Sequence, residues 1–374
     1  MAKSWRWAVL AMALTAGAPV LAQPATAPTV PEESGFAALE AGQNVANSKP
    51  GPRTVPAKLV PVPATASEAL QKAIAAPYRA PAWNANPQSP AEWKALVQKL
   101  ADAVGANQAT IRDKLGLVIQ DANIGGVRAF ILEPKDMPEA HRNQILLHIH
   151  GGGYVYNPGV SGTQEAAVLA GYGKYKVVSI DYRMPPDFPY PAALDDAMAA
   201  YKAVLTMADP KHVAVFGSST GGAMTLALMM RARDEGVALP AAIAPGTPWS
   251  DLAANGDTYQ TNEWLDNILV SWNGYISHAA ALYANGHDWK DPQLSPIYGD
   301  FHGLPPAILT SGTRDLFLSN TVRTHRKFRQ AGVEAQLQVF EGMSHAQYYL
   351  DPYAPESKEA AEEIARFFDA HLDK

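Results

Sequence analysis

The chain has 374 residues, 47% hydrophobic and 18% charged, enough apolar content for one large domain and too much for disorder throughout. Thirty Lys and Arg against 36 Asp and Glu leave a net charge of −6, which argues against a partner held mainly through nucleic-acid phosphates or anionic lipid. With no cysteine, disulfides, cysteine zinc sites, iron–sulfur clusters, thiol nucleophiles and lipoprotein anchors are excluded together. Any chemistry must rest on oxygen and nitrogen groups.

In chain order, Lys3 and Arg6 precede an apolar run from Trp7 to Ala18, and Val20-Leu21-Ala22 stands before Gln23. A basic head, an apolar core and small residues at the end predict a signal peptide over 1–22, cleaved after Ala22, with export to the periplasm or medium. The run falls short of the ~20 apolar residues that a bilayer span needs, so no stable membrane insertion is expected after processing. An uncleaved anchor is the alternative. Residues 23–64, rich in Pro and Ala, read as an extended lead-in. The rest, 65–374, reads as one domain with cap elements at about 65–110 and 255–300.

The first clear element is a helix over Pro90–Val104. Ser89 is its N-cap, Pro90 takes the first position, Glu92 completes a capping box and Gly105 ends it. Trp93, Leu96, Val97, Leu100 and Val104 form its apolar face. Strand-like runs follow at Val127–Leu132, Ile145–His150, Val177–Ile180, Val213–Phe216, Ala242–Ala244, Ala307–Thr310 and Ala335–Phe340. Helical patterns lie between many of them, at Gln164–Tyr172, Ala192–Met207, Gly222–Asp234, Asn320–Ala331 and Glu356–His371. Several strands lack polar alternation, so both faces must be buried. This predicts an α/β fold with a mostly parallel sheet between helices. Leu265, Ile268, Leu269, Trp272 and Ile276 suggest a further helix inside the 255–300 insertion, over the sheet edge where such folds place ligands.

Gly217-Ser-Ser219-Thr-Gly221 directly follows the strand Val213–Phe216 and precedes a helix. In that strand–turn–helix context, G-x-S-x-G reads as a nucleophile elbow presenting Ser219. A second signal is independent: Ile145–His150 runs into Gly151-Gly152-Gly153. Amides of adjacent glycines can face a substrate oxygen unobstructed, so Gly151, Gly152 and the amide of Thr220 form a candidate oxyanion hole. A serine hydroxyl needs a base, and the base an orienting acid. Asp315 and His345 each follow the end of a strand downstream of the serine. Rivals are less well placed: His278, His287, His302, Asp288, Asp291 and Asp300 lie in the insertion, His212 enters a strand and His325 sits in a helix. Of the aromatics Tyr154, Tyr156, Trp249 and Tyr348, the first and third are the candidate substrate contacts.

His150-Gly-Gly-Gly153, Asp181-Tyr-Arg183, the elbow, Asp315 and His345 together resemble the bacterial hormone-sensitive-lipase-like esterases of the α/β-hydrolases, from about residue 65 onward. The resemblance implies Ser219 as nucleophile, His345 as base, Asp315 as its partner, and Gly151, Gly152 and Thr220 as oxyanion donors. It implies that Asp181–Arg183 braces the glycine loop, that cap helices shape an acyl pocket, and that no cofactor or metal is needed. The chain departs from the usual Gly-Asp-Ser-Ala-Gly elbow at Ser218 and Thr220. It departs again after the acid, where Leu316 and Ser319 replace a proline and a second acid, and in Met184-Pro-Pro after Arg183. The expected activity is hydrolysis of small to medium carboxylic esters through an acyl-enzyme. A lactone hydrolase or deacetylase would use the same groups. A metal-dependent hydrolase, suggested by His148-x-His150, and a non-catalytic binding protein are the rivals from other classes. The basic run Arg323–Arg329 reads as a solvated helix face rather than a nucleic-acid site. No oligomeric state follows from the sequence.

Overall fold

A computed structural model of the chain describes residues 58–79 and 83–373, so the leader expected at 1–22 and most of the lead-in lie outside the described residues. From Pro61 onward the chain forms one unit. Its centre is an eight-stranded sheet: β1 (Leu117–Ile124), β2 (Val127–Pro134), β3 (Ile145–Ile149), β4 (Lys176–Ile180), β5 (Val213–Ser218), β6 (Ala242–Gly246), β7 (Ala307–Gly312) and β8 (Ala335–Phe340). The order is β1-β2-β4-β3-β5-β6-β7-β8. The β1–β2 and β2–β4 pairs are antiparallel, and all later pairs are parallel.

The unbroken apolar runs of the central strands have a simple cause. Leu146, Val177, Ala214 and Phe216 pack on one side with α4 (Gln164–Gly173) and the last helix, α11 (Pro355–His371). Their neighbours Leu147, Val178, Val213 and Val215 pack on the other side with α5 (Ala192–Val204) and α6 (Thr220–Asp234). Alternate residues enter opposite cores, so no position is left for a polar side chain. The fold is the α/β-hydrolase fold expected. β1 was not expected; only Leu117 and Ile124 at its two ends are buried, which leaves little hydrophobic pattern to read.

The helices before the sheet follow their capping chemistry. α2 (Pro90–Gly105) begins at Ser89, whose Oγ accepts from Glu92 N at 3.3 Å. The Glu92 carboxylate reaches one residue further back than the standard box and accepts from Gln88 N at 2.8 Å. Gly105 is the last helical residue and Ala106 the cap. Two short helices, α1 (Glu68–Ala75) and α3 (Gln108–Lys114), escaped the sequence reading. α5 ends at Val204, three residues before the expected Met207. Thr206 N and Met207 N bond three residues back, and the Thr206 hydroxyl takes Ala203 O at 2.7 Å, tightening the last turn.

The insertion differs most from expectation. Leu265–Trp272 is turn rather than helix; α-helix forms at α7 (Thr258–Thr261) and α8 (Tyr275–Ala284), and a 3₁₀ turn at Pro296–Tyr298. The reason is Asp266. Its Oδ1 accepts from Ile268 N at 2.8 Å and Leu269 N at 3.1 Å, side-chain bonds that replace helical ones. Trp264 and Val270 also stand at φ +65°, which breaks the helix. No helix among the described residues is long and apolar enough to cross a membrane.

Candidate active site

β5 delivers the chain into a sharp turn at Ser219, φ +61° and ψ −121°, before α6 begins at Thr220. The flanking glycines are a steric necessity. A Cβ on Gly217 would lie 2.0 Å from Ile149 O, and one on Gly221 only 1.9 Å from the same oxygen. The backbones of β3 and the elbow thus touch where only hydrogen fits. Ser219 N donates to Gly246 O at 2.9 Å, and Ser219 O accepts from Trp249 N at 2.9 Å and Ala223 N at 3.0 Å. Both backbone ends of the strained residue are held. Its side chain lines a cavity of about 70 Å³, together with Gly151, Gly152 and His345.

The N–H groups of Gly151 and Gly152 meet no protein acceptor among the described residues. Thr220 opens α6, so its N–H has no partner within the helix and adds to the positive end of the helix dipole. The glycine loop is braced from behind. Tyr182 OH donates to His150 O at 2.8 Å, and Asn157 Nδ2 donates to Gly151 O at 2.9 Å. Asp181 accepts from Gly159 N at 2.8 Å and pairs with Arg128 at 3.2 Å. His150 stacks on Tyr182 with ring centres 4.2 Å apart and sets Nδ1 2.9 Å from Gly151 O. Burial pushes its imidazole down from 6.5 to about 4, so it stands neutral at pH 7.

His148 does not join it at a common ligand point. His148 Nδ1 lies 2.8 Å from Ser179 Oγ, and Nε2 lies 3.2 Å from Glu165 Oε2. Among the described residues no three His, Asp or Glu side chains stand close enough to hold a metal ion. The same Glu165 accounts for the departure at Ser218. Its carboxylate accepts from Ser218 N at 3.1 Å and from the Ser218 hydroxyl, which also meets Tyr348 OH. A glutamate from α4 thus supplies the negative charge at the elbow, and residue 218 needs only a hydroxyl to meet it.

Asp315 sits in the turn after β7, fully buried. Its Oδ1 lies 3.0 Å from His345 Nδ1 and accepts from Phe317 N at 2.8 Å. Its Oδ2 accepts from Ser311 Oγ at 2.8 Å and from the Thr247 hydroxyl. The carboxylate therefore has one orientation. With the proton held on Nδ1 toward Asp315, His345 Nε2 is an acceptor, and it is buried with no protein partner. Phe317 packs edge-on against the imidazole at 4.9 Å.

Two expected contacts lie elsewhere. Tyr154 is buried behind the cavity, stacked on Tyr283 at 3.6 Å, and Trp249 is wholly buried against Phe317 at 5.4 Å. Neither lines the cavity; both are core, because the turns that carry them face inward. Tyr275 and Tyr349 line it instead. Among residues the sequence reading did not single out, Thr247 and Ser311 hold Asp315, and Asn157 holds the glycine loop. Asp266 is the fourth. Its Oδ2 accepts from Leu316 N at 2.8 Å and His345 N at 3.3 Å. Burial, then the nearby Asp315 charge, pushes its carboxyl up from 3.8 to about 6.

These two shifts act oppositely on folding. The stability linked to neutral His150 is present above about 6.5 and is lost as pH falls toward 4. The stability linked to protonated Asp266 is present below about 4 and is lost as pH rises through 6. Asp266→Asn removes the second effect, so its urea midpoint should fall more steeply between pH 7 and 4.5 than that of the wild type. Parallel slopes would contradict this.

With this geometry in place, known proteins give the same picture. A family model described as α/β hydrolase fold matches residues 146–349. An acetyl-hydrolase of Streptomyces hygroscopicus is 30% identical over 231 residues, 62% of this chain and 77% of that protein. An esterase of Acinetobacter venetianus is 28% identical, over 67% of this chain and 81% of its own length. Among solved structures, the esterase E25 superposes with a TM-score of 0.80 at 39% identity, over 87% of this chain and 99% of that one. An esterase from the bacterial hormone-sensitive lipase family gives 0.65 at 28% identity, over 77% of this chain and 100% of that one. The chain belongs to the α/β-hydrolase family, as an esterase of its hormone-sensitive-lipase-like branch.

Proposed function

We propose that this chain hydrolyses carboxylic esters through an acyl-enzyme formed on Ser219. The observation that carries the reading is the buried, unpartnered Nε2 of His345, whose Nδ1 is fixed by Asp315, in the same small cavity as Ser219. His345 Nε2 takes the Ser219 proton as the oxygen attacks the ester carbonyl. Negative charge on the carbonyl oxygen is met by the amides of Gly151, Gly152 and Thr220. The tetrahedral intermediate collapses, the C–O bond to the alcohol breaks, and His345 returns the proton to the leaving oxygen. Water then attacks the acyl-serine with His345 again as base, releasing the acid and restoring the hydroxyl.

A cavity of about 70 Å³ at the reacting centre favours small acyl groups. It adjoins a mostly apolar recess of about 390 Å³, and Arg79, Val104, Gln164, Ile268 and Leu350 line both. The recess also reaches Met343 and Gln347, which flank His345, so it lies on the side where the alcohol must leave. Esters of a short acid with a larger apolar alcohol fit best. The names of the relatives agree with short acyl groups, since one is an ethyl acetate hydrolase of Pseudomonas putida.

The test is covalent. A serine-reactive phosphonate should inactivate the enzyme with one equivalent bound, and peptide mapping should place it on Ser219; chelators should leave the rate unchanged. A phosphonate-resistant, chelator-sensitive activity would overturn the proposal. Export is the second part of the proposal, supported by the basic and apolar pattern of residues 1–22. The secreted or periplasmic protein should begin at Gln23 when its N-terminus is sequenced, and an intact Met1 in that fraction would refute cleavage.

A further inference from the structure

The roles given to Ser219, His345 and Asp315, on which this inference rests, leave the wholly buried carboxylate of Asp266 unexplained. Asp266 accepts four backbone N–H groups, two on each oxygen. They come from three separate segments. Leu316 directly follows Asp315. His345 offers its own amide. Ile268 and Leu269 are residues of the cavity wall. The first two segments stand 50 and 79 residues away from Asp266 along the chain.

One side chain therefore ties the acid loop, the base loop and the wall together. Next to it, Asn267 extends the tie to α1. Its amide donates to Ala73 O at 2.8 Å and Ala76 O at 3.1 Å, and its backbone N–H donates to Ser344 Oγ at 3.1 Å. Four amides converge there on one buried carboxyl group, two on each oxygen. An asparagine there would turn an N–H₂ group toward two of the donors.

We propose that Asp266 is a positioning residue of the ester-hydrolysing site, fixing His345 against Asp315 and the cavity wall and supplying a second negative charge beside the imidazolium that forms when Ser219 loses its proton. The charge argument has a definite set of neighbours. Asp315 from the loop after β7 opposes the ionised form of Asp266, and His345 from the loop after β8 favours it. The Tyr275 phenol at the start of α8, held above its usual range by burial first, also has the Asp266 charge acting on it, against the opposing Arg79. The ionised carboxylate places a second opposite charge near the imidazolium that forms during the reaction. Protonation of Asp266 removes that second negative charge.

The experiment measures phenyl acetate hydrolysis by the full chain from pH 4.5 to 9 for wild type, Asp266→Asn and Ser219→Ala. Asp266→Asn should lower kcat about 10- to 100-fold with KM changed by less than about threefold, because the loss falls on the transition state. Its acid limb should also move to lower pH, since the imidazolium loses an anionic neighbour; a merely structural role would leave that limb in place. A folded Asp266→Asn with kcat within twofold of wild type and an unmoved limb overturns the proposal. Should that variant not fold, the wild-type acid limb decides. Two protons, a hundredfold loss per pH unit at its steepest, support Asp266 acting with His345, and a one-proton limb refutes it. If Ser219→Ala is inactive while Asp266→Asn is normal, this inference alone fails; an active Ser219→Ala removes it together with the function proposed above.

Discussion

Ser219→Ala should lower kcat/KM for a small aryl ester by about 10⁵-fold or more while leaving the melting temperature nearly unchanged. The separation of activity from stability follows from how the residue is held. Its backbone N–H and C=O are bonded to Gly246, Trp249 and Ala223, and alanine keeps all three contacts. The turn at φ +61° is equally strained for serine and alanine, so neither folded state is favoured. What disappears is the oxygen that becomes acylated. A residual rate within a hundredfold of wild type would mean that the hydroxyl is not the nucleophile.

The second large effect concerns folding. Gly221→Ala places a methyl group 1.9 Å from Ile149 O, and the obstacle is the backbone of β3, which cannot rotate away. Either the elbow or the central strand must move. The expected cost is about 4 kcal/mol or more, at the upper end for single substitutions and comparable to the whole stability of many domains. The variant should be largely insoluble or melt far below wild type. Gly105→Ala makes a useful contrast. It adds the same methyl group at the last position of α2, where the nearest atom is 3.7 Å away, so it should be neutral or stabilising by up to about 1 kcal/mol. Equal melting temperatures for the two variants would show that the close approach of β3 and the elbow is misjudged.

The extent to which the site could be read from the sequence has physical reasons. Ser219 and Asp315 each stand just beyond a buried strand that is legible because both faces are apolar, whereas His345 follows the edge strand β8, of which only Ala335 is buried. The distance from strand end to side chain is short, so little freedom remains. Gly217 and Gly221 are legible for the opposite reason, since contact between two backbones leaves a mark in composition. Thr247, Ser311 and Asn157 were not seen because a lone hydroxyl or amide in a loop has many uses, and only the fold brings each to its partner. Asp266 was hidden more deeply. The apolar spacing around it imitates a helix, and the side chain itself prevents that helix by taking the amides of Ile268 and Leu269. Tyr154 and Trp249 misled for a related reason. Position along the chain says nothing about which way a ring turns, and both rings turn into the core.

The cap of α1 ties two distant parts of the chain together. Ser67, its cap, bonds through its backbone N–H at 2.9 Å and its hydroxyl at 2.7 Å to the carboxylate of Glu356, 289 residues further along. The helix so moored forms part of the recess beside His345. The recess beside His345 is therefore closed by contacts between segments that lie far apart along the chain, and cutting the Ser67–Glu356 bonds should loosen that wall first.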